Sequence, residues 1–143
     1  MADIRTLNES ISVAPQIVAD DLPAIKAAGF VAIVNNRPDG EEPGQPAGEA
    51  IRAAAEAAGV AYHAIPVGHA GIGPDQLAAM TAALTGAGGP VLAFCRSGTR
   101  SCHLWALAAA RAGRNPELLQ LQAGAAGYDL SGLRPTLDAL ARG

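Results

Sequence analysis

Short apolar runs alternate along the chain with longer stretches in which apolar positions recur every three or four residues. That alternation predicts an α/β domain with a largely parallel sheet. "DLPAIKAAGF" reads as a helix capped by Asp20 or Asp21 and stopped by Gly29, and "FVAIVN" follows as a buried strand. "AGEAIRAAAEAAG" repeats the helical pattern, with Ile51, Ala54, Ala55 and Ala58 on one face, before the strand "VAYHAIPV". Pro74 stands at a first helical position, and Leu77, Met80, Thr81 and Leu84 recur behind it at helical spacing. "PVLAF" is short and continuous in apolar residues, as a central strand buried on both faces should be. The helix expected over "CHLWALAAARAG" is apolar almost all round and should lie in the middle of the fold. Asn115 and Pro116 open another helix, and Leu130, Leu133, Leu137 and Leu140 line one side of a tail interrupted by Pro135.

Two segments break the pattern. "NRPDGEEPGQP", after the first buried strand, is dense in turn formers and charge, and "GHAGIG" follows the next one. Both should be loops leaving the carboxyl ends of strands, where α/β folds place their ligands.

Composition narrows the picture. The 143 residues fit a single domain, 1–143, with one core. Half the residues are hydrophobic but only 3% are aromatic, so Ala, Leu, Val and Ile must fill the interior around Trp105, and helices should dominate its volume. Ten basic against thirteen acidic residues give a net charge of −3, without the basic block that a nucleic acid partner would require. The start, "MADIRTLNES", has no apolar leader, and no apolar run nears the roughly 18 residues needed to cross a bilayer. A cytoplasmic protein with no membrane partner is expected. Two cysteines are too few for a disulfide framework, and three scattered histidines lack ligand spacing, so neither a metal nor another cofactor is expected.

The candidate chemistry lies in "FCRSGTRS", where the last strand ends on Cys95. Gly98 can adopt positive φ, and the amides of Arg96, Ser97, Gly98, Thr99, Arg100 and Ser101 can curl to converge on an anion before a helix N-terminus. Arg96 and Arg100 add full charges. A cysteine at the mouth of such a cradle is expected to react as a thiolate, and Ser101 should cap the helix or donate a hydrogen bond to the sulfur. An isolated cysteine at a strand end would ordinarily be an inert core thiol; the residues around Cys95 reverse that reading. Cys102, which enters the apolar helix, reads as a small core residue.

"CRSGTRS" resembles the active loop of rhodanese-type sulfurtransferases and, less closely, the phosphate loop of cysteine-dependent phosphatases. Together with "SVAPQI", "IVNNRPDGEEPGQP" and "AGYDLSGLRP", it resembles the family of beta-lactamase hydrolase-like proteins, phosphatase-like domain, over nearly the whole chain. The resemblance implies a compact fold like that of the dual-specificity and tyrosine phosphatases, found alone or joined to sulfide-oxidising modules.

Two features set the loop apart from the phosphatase signature of His-Cys, five residues, Arg. Phe94 replaces the histidine, and four residues separate Cys95 from Arg100, so that Ser101 stands where the arginine would fall. One residue fewer removes about 3.3–3.6 Å of contour, which suggests a ring suited to one sulfur atom. A phosphatase also gains from a general acid. "PVGHAGIG" has no carboxylate and Asp75 belongs to a helix start, which leaves Asp39, with Arg37 as a clamp.

Sulfur transfer needs no such acid, because sulfite or a thiolate leaves readily. The sequence therefore ranks first a sulfurtransferase in which Cys95 takes a sulfane sulfur as a persulfide from a small-molecule donor and passes it to a thiol acceptor, in possible association with sulfide-oxidising enzymes. Second comes a phosphatase acting on a phosphoester through a phosphocysteine at Cys95. Third is a non-enzymatic anion or thiol-redox sensor, with Cys102 resolving an oxidised Cys95. His69, in a loop facing the site, is a candidate donor to substrate. His63 and His103 read as structural and supporting, Glu41 and Glu42 as solvated loop, and Tyr128 and Asp129 as fixing the C-terminal segment near the cradle.

Overall fold

The computed structural model describes residues 2–143 and holds one five-stranded sheet with helices on both faces. In chain order the elements are β1 (Arg5–Thr6), β2 (Ile11–Ala14), α1 (Leu22–Ala27), β3 (Ala32–Asn35), α2 (Gly48–Ala58), β4 (Ala61–Ala64), α3 (Pro74–Gly86), β5 (Val91–Phe94), α4 (Thr99–Arg111), α5 (Pro116–Ala125) and α6 (Arg134–Arg142). The strands lie in the order β1-β2-β5-β3-β4; only β1 runs antiparallel to its neighbour. The expected α/β class and central, mostly parallel sheet are therefore what the chain forms.

Alternation along the strands builds two cores. On β5, Val91 and Ala93 face a layer made by α3, α4, α5 and α6, while Leu92 and Phe94 face α1 and α2. Helix α4 is the centre of the larger layer: Leu104, Trp105, Ala106 and Ala110 are buried, and α3, α5 and α6 all pack on it. Truncating a fully buried side chain here, such as Leu104→Ala, should cost about 2–5 kcal/mol. Among the described residues, no helix is long and apolar enough to cross a membrane.

The structure departs from the sequence reading at three places. β1 and β2 were not expected, although all of β2 is buried and pairs with β5 from Ile11↔Val91 to Ala14↔Phe94. Asp21 does not cap α1 with its side chain; its Oδ2 accepts the Val18 amide at 2.9 Å, closing a 3₁₀ turn over Ala19–Asp21. α4 begins at Thr99, three residues before the expected start, so its N-cap is Gly98 (φ 91°) and Ser101 lies inside the first turn. Asn115 does cap α5, accepting the Glu117 amide at 3.0 Å, and Pro135 lies in the first turn of α6.

This topology gathers the functional segments. β2, β5 and β3 are adjacent and parallel, so their carboxyl ends bring together Gln16, the Cys95 loop and the Asn36–Arg37 segment. β4 ends beside them, and the Ile65 and Val67 amides just past it bond the carbonyls of Asn35 and Asn36, both at 2.9 Å.

Candidate active site

Cys95 is the first residue past β5, buried, with its amide on the Ala14 carbonyl. The chain then turns back, and the Gly98 amide donates to Cys95 Sγ at 3.1 Å. Only glycine fits at position 98. Its φ is left-handed, and a Cβ there would collide with the Tyr128 hydroxyl. The first-turn amides of α4 follow directly and have no intrahelical partner, the Thr99 amide donating instead to Ser97 Oγ at 3.3 Å.

The turn is anchored at two carbonyls. The Arg96 carbonyl accepts the Gln16 amide at 3.3 Å, and the Ser97 carbonyl accepts the Tyr128 hydroxyl at 3.0 Å. Tyr128 thus ties the C-terminal segment to the loop, while Asp129 makes only a local turn by accepting the Ser131 amide. Ser101 neither caps the helix nor is seen bonding to the sulfur. Its buried hydroxyl donates to Asn36 Oδ1 at 2.8 Å, and Asn36 in turn donates to the Ile65 carbonyl at 2.8 Å, joining α4, β3 and β4.

Arg100 reaches across the mouth of the site. Nη1 and Nη2 grip the two Glu41 carboxylate oxygens at 2.7 and 2.8 Å, and Nη1 also donates to the Val67 carbonyl at 2.8 Å. The bond to Glu41, with a smaller contribution from Cys95, raises the Arg100 pKa above the ordinary arginine value. In turn, Arg100 and Arg37 hold the Glu41 carboxyl down at about 2, Arg100 contributing most.

Arg37 is buried, and each of its three side-chain nitrogens donates within the protein. It donates to Glu41 at 2.9 Å, to Glu42 at 2.8 Å and to Gln16 Oε1 at 3.1 Å. Burial opposes its charge, yet the bonds to Glu42 and Glu41 outweigh burial and raise its pKa. The expected substrate clamp is therefore an internal strut beneath the two glutamates. Glu42 is held below the usual carboxylate range by its bond to Arg37 and by the charge of Arg96, which lies 3.7 Å away on an exposed side chain.

Asp39 lies in the same loop, but its Oδ1 accepts the Gly48 amide at 2.8 Å and so caps α2. It lines a cleft of about 220 Å³ with Asn35, Arg37 and Tyr62. His69 is exposed on the turn that follows the Val67 contact to Arg100. Ser97 and Thr99 link hydroxyl to hydroxyl at 3.0 Å on the exposed rim. Cys102 is buried in the larger core. Burial and the neighbouring Cys95 push its thiol up to about 12, which suits the predicted core residue and not a resolving thiol. His103 is half-buried, and burial lowers its pKa.

Sequence reasoning undervalued Glu41 and Glu42 and missed Gln16 and Asn36. Acidic loop residues look like solvated surface until the fold shows which cations face them. The signal was available only as an imbalance: Arg37, Arg96 and Arg100 would otherwise crowd together without counter-charge.

A cysteine at the end of a central parallel strand, an amide on its sulfur and an arginine fork nearby stand within a phosphatase-like architecture. Residues 3–112 match the family model of the beta-lactamase hydrolase-like protein, phosphatase-like domain. The chain belongs to that family. It is 43% identical over 108 residues to the "Beta-lactamase hydrolase-like protein" of Agrobacterium fabrum, a match covering 76% of this chain and 25% of that protein. The Xylella fastidiosa protein of the same name is 39% identical over 111 residues, covering 78% and 26%. The chain thus spans about a quarter of the length of these relatives.

Among solved structures, a "putative phosphatase" from Neisseria meningitidis superposes with a TM-score of 0.83 at 35% identity, covering 96% of this chain and 97% of that one. PTPMT1 shares the fold at 12% identity and a TM-score of 0.73, over 97% and 94%. The family match and the Neisseria structure favour the phosphatase reading that the sequence ranked second and lend no support to the sulfurtransferase it ranked first.

Proposed function

We propose that this domain is a cysteine-dependent phosphatase acting on phosphomonoesters with a readily departing alcohol, above all aryl phosphates. The observation that carries the reading is the two-oxygen grip of Arg100, in the first turn of the helix that follows Cys95. The sulfur receives the Gly98 amide at 3.1 Å, and Arg100 holds an oxyanion, the Glu41 carboxylate, through both oxygens at once. A planar fork that holds two oxygens suits a phosphoryl group better than a lone sulfane sulfur.

In the proposed reaction the Cys95 thiolate attacks phosphorus, an S–P bond forms, and the P–O bond to the leaving group breaks. Arg100 and the converging amides of the loop neutralise the charge on the phosphoryl oxygens as it spreads. Water then attacks the phosphocysteine, releasing phosphate and restoring the thiolate. Glu41 remains ionised far below neutral pH and has no proton to give, while Asp39 caps α2. A phenolate leaves with less need of protonation than an alkoxide, which is why the reading narrows to aryl esters.

The test is to supply p-nitrophenyl phosphate and, in a parallel arm, thiosulfate or glutathione persulfide, and to follow Cys95 by mass spectrometry. Phosphate release with a trapped phosphocysteine, both lost in Cys95→Ser, is the expected result. Persulfide on Cys95 without phosphate release would return the reading to sulfur transfer.

A further inference from the structure

One peptide unit of the cradle is held at both ends. In a trans peptide the carbonyl and the N–H point in opposite directions. The unit between Ser97 and Gly98 has its carbonyl on the Tyr128 hydroxyl at 3.0 Å and its N–H on Cys95 Sγ at 3.1 Å. The preceding unit is held at one end, its Arg96 carbonyl accepting the Gln16 amide at 3.3 Å. Gly98 has the conformational freedom to let the 97–98 unit rotate, and rotation would aim a carbonyl dipole at the sulfur in place of an N–H.

Tyr128 is well placed to prevent this. It is buried, its ring is covered by the Arg5 guanidinium at 5.4 Å, and Arg5 is itself paired with Asp3 at 3.1 Å. The N-terminal strand and the segment between α5 and α6 therefore brace one hydroxyl from outside the loop. We infer that Tyr128 is a positioning residue that locks the Ser97–Gly98 peptide with its N–H toward Cys95, and so keeps a hydrogen-bond donor on the nucleophile's sulfur between turnovers. The inference rests on Cys95 being the nucleophile but not on which group it transfers.

The test is Tyr128→Phe, which keeps the ring and its contact with Arg5 and removes the hydroxyl. The thiolate is followed by its ultraviolet absorbance as pH is raised, with Cys95→Ser as the blank, and the pH profile of kcat/KM is followed on p-nitrophenyl phosphate. A hydrogen bond to a charged group is worth enough that the thiolate-to-thiol ratio should fall about tenfold at neutral pH, with kcat/KM falling alongside and recovering toward alkaline pH. A folded Tyr128→Phe whose thiolate titration coincides with that of the unsubstituted chain overturns the inference, whatever its melting temperature. If the titration moves but neither protein releases phosphate, the positioning role stands and the phosphatase reading falls.

Discussion

Arg100 and Glu41, 59 residues apart, meet fork to fork, with two charge-assisted bonds of 2.7 and 2.8 Å. Arg37 supports the same carboxylate from below at 2.9 Å, so Glu41 bridges a buried cation to one at the mouth of the site. The arrangement fixes the direction in which Arg100 presents its charge. It also places an oxyanion where a substrate's own oxygens would compete for the fork.

Arg100→Lys keeps the charge and loses the planar fork. The substitution should lower kcat/KM for an aryl phosphate by about 100-fold or more, because a point charge cannot hold two oxygens in fixed geometry. Steady-state kinetics decide this, and a loss under threefold would show that charge alone suffices.

The Glu41 bridge should be visible in acid. A carboxylate depressed from its ordinary 4.5 to about 2 contributes stability that is fully present above pH 4.5 and disappears as pH falls toward 2. Melting temperatures measured across that window should therefore drop more steeply for the unsubstituted chain than for Glu41→Gln. Parallel curves would mean that the bridge adds nothing to stability.

Asp39 offers a sharp distinction between two roles. An asparagine can still accept the Gly48 amide but cannot donate a carboxylic proton, so Asp39→Asn should retain kcat within a few-fold, while Asp39→Ala should cost about 0.5–2 kcal/mol of stability through loss of the cap. A fall in kcat of about 100-fold in Asp39→Asn, with stability unchanged, would identify Asp39 as the general acid.

Cys102 should behave as core. With its thiol pushed up to about 12 by burial and by Cys95, it should resist alkylation at mildly alkaline pH in the folded protein and react only on unfolding. Peptide mapping after mild peroxide should find no Cys95–Cys102 disulfide. Finding one would revive the redox-sensor reading.

Ser101→Ala leaves the buried Asn36 Oδ1 without its donor and should cost about 1–3 kcal/mol. If Asn36→Ala and Ser101→Ala destabilise additively in a double-mutant cycle, the two do not act as one unit.

What the sequence determined by itself was the class of fold and the turn that follows Cys95. The alternation of buried runs with helical periods is a local property, dictated by which faces must leave water, and it located β3, β5, α2, α3 and α5 without tertiary information. The turn after Cys95 was legible for the same reason: Cys95, Gly98 and the helix after them are neighbours in the chain, and Gly98 can take the positive φ of 91° that the turn requires. β2 was not legible, because Ile-Ser-Val-Ala is short and shows its apolar character only once β5 lies against it.

Tertiary structure decided everything that depends on one segment meeting another. It showed that Glu41 fills the Arg100 fork, that Arg37 is a strut, that Asp39 caps α2, that Ser101 serves Asn36, and that Tyr128 reaches the Ser97 carbonyl. Counting four residues between Cys95 and Arg100 suggested a small ring. The count could not reveal that Arg100 stands in the first turn of α4, where the helix and Glu41, not the length of the loop, set the reach of its guanidinium. Charge partners are chosen in space, and no spacing within one segment encodes them.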